Sequence, residues 1–127
     1  MAKILIVDDS PTEIHLLKIL LERHSYQVIE ATSGEQGVEL ANTQRPDLVL
    51  MDIVMPGLNG FQATRQISRN ARTAHIPVVI VTSKNQETDR VWGERQGARG
   101  YLVKPIQESA LLGTIEELLA EPATSGT

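Results

Sequence analysis

The chain contains no cysteine. That absence removes disulfides, thiolate zinc sites and a cysteine nucleophile together, and it fits a reducing cytoplasm, the expected location. A basic excess is also lacking. Twelve Lys and Arg stand against 16 Asp and Glu, a formal charge of −4, and the pI is near 5.3. General nucleic-acid binders cluster a positive excess on one face, so nucleic acid is not an expected partner. Long apolar runs are missing too. The N-terminus offers only Ile4–Val7 before two aspartates, far short of a secretory signal or a membrane span, and no membrane insertion is expected. The three histidines, His15, His24 and His75, show no ligand spacing and read as ordinary surface or boundary residues.

Core material is present. Of 127 residues, 41% are hydrophobic, enough for one domain that buries roughly two-thirds of the surface its unfolded chain exposes. Short runs rich in Val, Ile and Leu occur at Ile4–Val7, Val28–Ile29, Leu48–Met51, Val78–Val81 and Tyr101–Val103. The first, third and fourth are nearly continuous, as strands buried on both faces require. Helical segments lie between them. Ser10–Pro11–Thr12–Glu13 predicts a helix start with Ser10 as cap and Glu13 closing a capping box. The stripe Ile14, Leu17, Leu20, Leu21 then lies on one side, and His24 or Ser25 ends the helix. A second helix is expected from Ser33 to about Asn42, weakened by Gly34 and Gly37. Others are expected from Asn59 or Gly60 to Asn70, from Gln86 to Gln96 with Gly97 as a stop, and from Glu108 to Ala120. Residues 1–120 read as the folded domain and 121–127, small and polar, as a frayed tail.

Five strand–helix pairs in sequence predict an α/β fold: a five-stranded parallel sheet, order 2-1-3-4-5, with helices on both faces. In that architecture ligands gather at the carboxyl ends of the strands, beside the switch point between the first and third. Five polar residues fall there: Asp8 and Asp9 after the first strand, Asp52 after the third, Thr82 after the fourth and Lys104 after the fifth. Singly, each is better explained by turn or cap chemistry. Five at one sheet edge are not.

Three neighbouring carboxylates repel one another unless a cation intervenes. A hard divalent ion with oxygen ligands relieves this, and Mg²⁺ does so while keeping several waters. Three carboxylates, the Lys104 ammonium and one dication balance to zero, a site able to admit a phosphoryl group. Asp52 lies between the other strand ends and precedes a sharp Pro56–Gly57 turn, which makes it the expected nucleophile, forming an aspartyl-phosphate. Asp9 is the expected direct metal ligand, with Asp8 assisting and the main-chain carbonyl of Val54 as a further ligand.

On these residues the sequence resembles the receiver domain of response regulators in two-component signalling, the family of the chemotaxis protein CheY, whose fold is flavodoxin-like. The resemblance runs from about Lys3 to Leu119. It rests on Ile-Leu-Ile-Val-Asp8-Asp9-Ser, Leu-Val-Leu-Met-Asp52-Ile-Val-Met-Pro-Gly, Val-Ile-Val-Thr82-Ser and Gly97-Ala98-Arg-Gly-Tyr101-Leu-Val-Lys104-Pro105. It implies a phosphohistidine on a histidine kinase as donor, Asp52 as acceptor, a requirement for Mg²⁺, and Thr82 with Tyr101 as a switch pair. A cis Lys104–Pro105 peptide is also implied, and a downstream target protein bound by the face of the fourth helix, fifth strand and fifth helix. Such a protein is no enzyme on other substrates, although it promotes its own phosphorylation and dephosphorylation. Within the family, the stretch from Asp52 to Gln66 and the segment Trp92-Gly-Glu-Arg-Gln-Gly-Ala look like single-domain regulators of type IV pilus twitching motility (the PilH and PilG type). A receiver filling the chain carries no output domain, so output is expected through a partner or by draining phosphate from a shared kinase. Val54 and Lys84, two residues after Asp52 and Thr82, flank the path of the hydrolytic water in the family, and slow dephosphorylation is expected from them.

Three other readings compete. An aspartate-nucleophile phosphatase would need a second acid where Val54 stands. An FMN carrier would want a phosphate-cradling loop where Asp8 and Asp9 repel phosphate. A receiver-shaped interaction module independent of phosphate would not need intact Asp52, Asp9, Thr82 and Lys104.

Overall fold

In a computed structural model, described over residues 1–121, five strands alternate with five helices. They are β1 (Lys3–Val7), α1 (Pro11–Arg23), β2 (Gln27–Ala31), α2 (Gly34–Gln44), β3 (Leu48–Met51), α3 (Gly60–Arg69), β4 (Val78–Thr82), α4 (Glu87–Arg95), β5 (Gly100–Val103) and α5 (Glu108–Ala120). All strand pairs are parallel, in the expected order β2-β1-β3-β4-β5. Of the tail expected over 121–127, all beyond Glu121 lies outside the described residues.

The inner strands β1, β3 and β4 are buried along almost their whole length, and alternate residues serve opposite layers. Ile4, Ile6, Leu48, Leu50, Val79 and Val81 pack with Ile14, Leu17 and Leu21 of α1 and with Leu111 and Ile115 of α5. Leu5, Val7, Val49, Met51 and Val78 pack on the other side with Ala41 of α2 and with Ala63 and Ile67 of α3. A third cluster joins Ile80 to Ile53, Ala98, Phe61 and Tyr101. Truncating a side chain as enclosed as Leu50, 1% exposed, to alanine would cost about 2–5 kcal/mol, since the sandwiching layers cannot both close the cavity.

Several boundaries differ from expectation for physical reasons. Strand β2 is longer than Val28–Ile29 because it pairs along the whole of β1; as an edge strand it is only partly buried, so its apolar run is short. Helix α2 forms despite Gly34 and Gly37. A Cβ on Gly34 would stand 2.3 Å from the Leu58 carbonyl oxygen, and one on Gly37 would stand 2.8 Å from Val7. Close packing needs the glycines there and offsets their poor helix propensity. Gly97 ends α4 with φ +110, as expected of a helix stop.

The capping box expected at α1 is half made. Ser10 Oγ accepts from the Glu13 N–H at 3.3 Å. The Ser10 N–H, however, donates to Asp8 Oδ1 at 2.9 Å, and the Glu13 carboxylate turns elsewhere. A full reciprocal box forms instead at α3, between Asn59 and Gln62.

Candidate functional site

Sheet register sets the level at which each polar residue leaves its strand. Val7 pairs with Met51, and Met51 with Ile80. The residues that follow, Asp8 and Asp52, therefore emerge side by side. The Asp8 N–H donates to the Ala31 carbonyl and the Asp52 N–H to the Val7 carbonyl, at 3.0 and 2.9 Å. Thr82 pairs with Val103, and the Lys104 N–H donates to the Thr82 carbonyl at 2.7 Å, delivering Lys104 to the same edge. The Lys104–Pro105 peptide is cis, as the resemblance implies.

Asp8, Asp9 and Asp52 converge: one carboxylate oxygen of each lies within 4.8 Å of the others. Asp8 and Asp52 are buried and Asp9 is exposed. The Lys104 ammonium reaches Asp8 Oδ2 at 3.0 Å, Glu13 Oε1 at 3.2 Å and Asp52 Oδ1 at 3.8 Å. Thr82 is fully enclosed, and its Oγ1 accepts from the Lys84 N–H at 3.4 Å. The Tyr101 hydroxyl donates to the Lys84 carbonyl at 2.7 Å. Val54 follows the buried Ile53 and turns its side chain outward, 56% exposed.

Burial is the main influence on Asp52 and pushes its pKa up; Lys104 opposes this, the Asp8 charge adds to it, and the Ile53 N–H and the Thr82 hydroxyl pull it back down. For Lys104, burial disfavours the ammonium more than any other single influence. The hydrogen bond to Asp8, the charges of Asp52 and Asp8 and the hydrogen bond to Glu13 together outweigh it, so its pKa rises. The Tyr101 phenol is pushed up to about 12, first by burial and then by Asp89. A donor set made only of carboxylate oxygens, one of them facing water, suits a hard divalent ion rather than a soft one.

Two contributors were not foreseen. Glu13, expected to cap its own helix, instead shares Lys104 with Asp8. A fourth carboxylate therefore enters the charge balance, which no longer closes at zero with one dication. The available signal was its place in the first turn of a helix that starts directly after Asp9. The second is Gly60, whose absent Cβ would stand 2.0 Å from the Asp52 carbonyl oxygen. Only glycine lets the start of α3 lie against the backbone that carries Asp52, and the Gly60 N–H donates to the Ile53 carbonyl at 3.0 Å. The histidines behave as expected: His24 is an exposed residue paired with Glu108.

Sequence and fold both match known proteins. Residues 4–116 match the model of the response regulator receiver domain. The chain is 63% identical over 120 residues to the protein PilH of Pseudomonas aeruginosa, covering 94% of this chain and 99% of that one. It is 36% identical to the transcriptional regulatory protein AfsQ1 of Streptomyces coelicolor, covering 94% of this chain but 52% of that larger protein. Among solved structures, the receiver domain of the sensor histidine kinase PA1611 from Pseudomonas aeruginosa, with magnesium coordinated in its active-site cleft, superposes with a TM-score of 0.88 at 29% identity. That match covers 94% of this chain and 98% of the other. Chemotaxis protein CheY4 of Vibrio cholerae gives 0.87 at 29% identity, over 93% and 98% of the two chains. With acids, ammonium and hydroxyl at one edge of a 2-1-3-4-5 sheet, and with these relatives, the chain belongs to the response regulator receiver domain family, a signalling protein of the two-component type.

Proposed function

We propose that this chain is a response regulator receiver that accepts a phosphoryl group on Asp52 from the phosphohistidine of a histidine kinase. The observation that carries this reading is the Lys104 ammonium set 3.0 Å from Asp8 and 3.8 Å from Asp52, beside three converging carboxylates. An Asp52 oxygen attacks phosphorus; the phosphorus–nitrogen bond breaks, and its electron pair returns to the donor imidazole. Lys104 offers the transferred oxygens a charge-assisted partner, and the Thr82 hydroxyl offers a hydrogen bond. Little covalent chemistry is left to the protein, so positioning and charge neutralisation dominate.

Asp9, Asp8, Asp52 and the main-chain carbonyl of Val54 would hold Mg²⁺. Bound there, it supplies the positive charge that lets an anionic donor approach three carboxylates. The oxygen donor set and the magnesium in the PA1611 receiver support this assignment.

Thr82 and Tyr101 act as the switch. Thr82 Oγ1 meets the Lys84 N–H, and the Lys84 carbonyl holds the Tyr101 hydroxyl. Drawing Thr82 toward a phosphoryl group therefore disturbs the backbone of Lys84, the residue that anchors Tyr101, and with it the face of α4, β5 and α5 that binds the downstream target. Phosphate selects one of two arrangements by interacting better with it. The 63% identity to PilH supports a place in the cytoplasmic control of type IV pilus twitching motility.

Incubation with Mg²⁺ and a small acyl phosphate, followed by intact mass measurement, tests the reading. A gain of one phosphoryl group that disappears in Asp52→Ala supports it. No gain in the wild-type chain rejects it in favour of a phosphate-independent interaction module. Loss of surface twitching on deletion of the coding sequence, restored by wild type and not by Asp52→Ala, tests the motility assignment.

A further inference from the structure

Lys104 carries three N–H donors, and its two short contacts are to Asp8 and Glu13; Asp52, at 3.8 Å, lies beyond hydrogen-bond reach. The contact partners differ in kind. Asp8 is tied into the sheet edge, accepting the Ser10 N–H, and is 2% exposed. Glu13 stands in the first turn of α1, and its side chain is 36% exposed, so it can release Lys104 to water at little cost. A carboxylate with this freedom would ordinarily return to its own helix cap, as Gln62 does to Asn59 at the start of α3. Here it does not.

We propose that Glu13 is a positioning residue that tethers the Lys104 ammonium away from Asp52, so that an incoming phosphoryl group must win Lys104 from Glu13. This rests on the phosphoacceptor reading above and deepens it. The tether leaves the ammonium nearer to Asp8 and Glu13 than to Asp52 before phosphorylation. Losing it frees one donor of Lys104 for phosphate in both the bound donor complex and the transition state. Such uniform binding lowers the donor concentration needed without changing the rate at saturation.

Glu13→Gln removes the charge and keeps the length. Glu13→Asp keeps the charge in the first turn but is one methylene too short for Lys104. Wild type and both variants are followed by intact mass over a series of acyl phosphate concentrations at fixed Mg²⁺. Both variants are expected to phosphorylate faster than wild type at low donor, by about two- to five-fold for a partly exposed charge pair. Rates at saturating donor should stay within about two-fold of wild type. If Glu13→Asp behaves as wild type while Glu13→Gln is faster, general repulsion is at work and the tether is overturned. If neither variant differs, it is overturned as well. A change in the saturating rate alone also counts against it. Failure of the wild-type chain to gain mass would overturn the phosphoacceptor reading itself, and the tether with it.

Discussion

The Tyr101 hydroxyl donates to the carbonyl of Lys84 at 2.7 Å, and the N–H of the same Lys84 reaches Thr82 Oγ1 at 3.4 Å. One residue, Lys84, thus stands between a fully buried hydroxyl at the acidic site and a half-buried aromatic ring. Thr82→Ala should leave Asp52 able to accept phosphate, since the carboxylate and Lys104 are untouched, yet uncouple phosphorylation from partner binding. Tyr101→Phe keeps the ring and deletes only the surface anchor, at a cost of about 1 kcal/mol. Calorimetric titration of phosphorylated chain with its target checks the first, and urea unfolding checks the second. Equal target affinity for phosphorylated Thr82→Ala and wild type would contradict the switch.

At Asp52 burial and neighbouring negative charge both weigh against the ionised carboxylate. Its side chain is 9% exposed and converges with Asp8 and Asp9. In metal-free buffer near neutral pH, Asp52→Asn should stabilise the fold by about 1–2 kcal/mol, because a buried charge without full compensation is removed. Added Mg²⁺ should raise the melting temperature of wild type by mass action, and raise that of Asp9→Asn much less. Thermal melts with and without chelator read both effects.

Val54 and Lys84 are exposed, two residues beyond Asp52 and Thr82. Neither valine nor lysine can act as an acceptor to orient an attacking water. The double variant Val54→Asn/Lys84→Glu should therefore lose its phosphoryl group several-fold faster, on the order of 1 kcal/mol off the barrier. Decay of the phosphorylated mass after donor removal measures this; unchanged or slower decay goes against it.

Away from the site, Glu108 at the start of α5 accepts from His24 at the end of α1, at 2.7 Å, with Arg23 at 3.8 Å. The hydrogen bond from His24 is the leading cause that lowers the Glu108 pKa; slight burial opposes it, and the charges of Arg23 and His24 add to it. A depressed carboxyl pKa stabilises the fold above its unfolded value of about 4.3 and loses that contribution as pH falls through the folded value. Glu108→Gln should thus lower the urea midpoint slightly near neutral pH. The difference from wild type should close below pH of about 4. A difference that persists in acid would show the loss to be one of packing, not charge.

Much of the site was legible because it is written at strand ends. A parallel sheet with right-handed crossovers offers few arrangements. Once Ile4–Val7, Leu48–Met51 and Val78–Val81 are read as buried strands, Asp8, Asp52 and Thr82 must share an edge. Helix α2 was harder to read, since propensity counts Gly34 and Gly37 against a helix, whereas Leu58 and Val7 leave room for nothing larger. Glu13 was misassigned for the opposite reason: a local motif, the capping box, fitted it well, and a residue 91 positions away along the chain claimed it.

The alternation of strands and helices, the order of the sheet and the carboxylates, hydroxyl and ammonium at its edge are all readable from the residues. These follow from local periodicity and chirality, which act within a few tens of residues. It took the tertiary structure to show which two of four carboxylates hold Lys104 and how closely α3 approaches Asp52. The tertiary structure also sets Lys84 between Thr82 and Tyr101. Those outcomes turn on distances of an ångström or less between segments far apart in the chain, where Coulomb attraction and close packing, not local preference, select the partner.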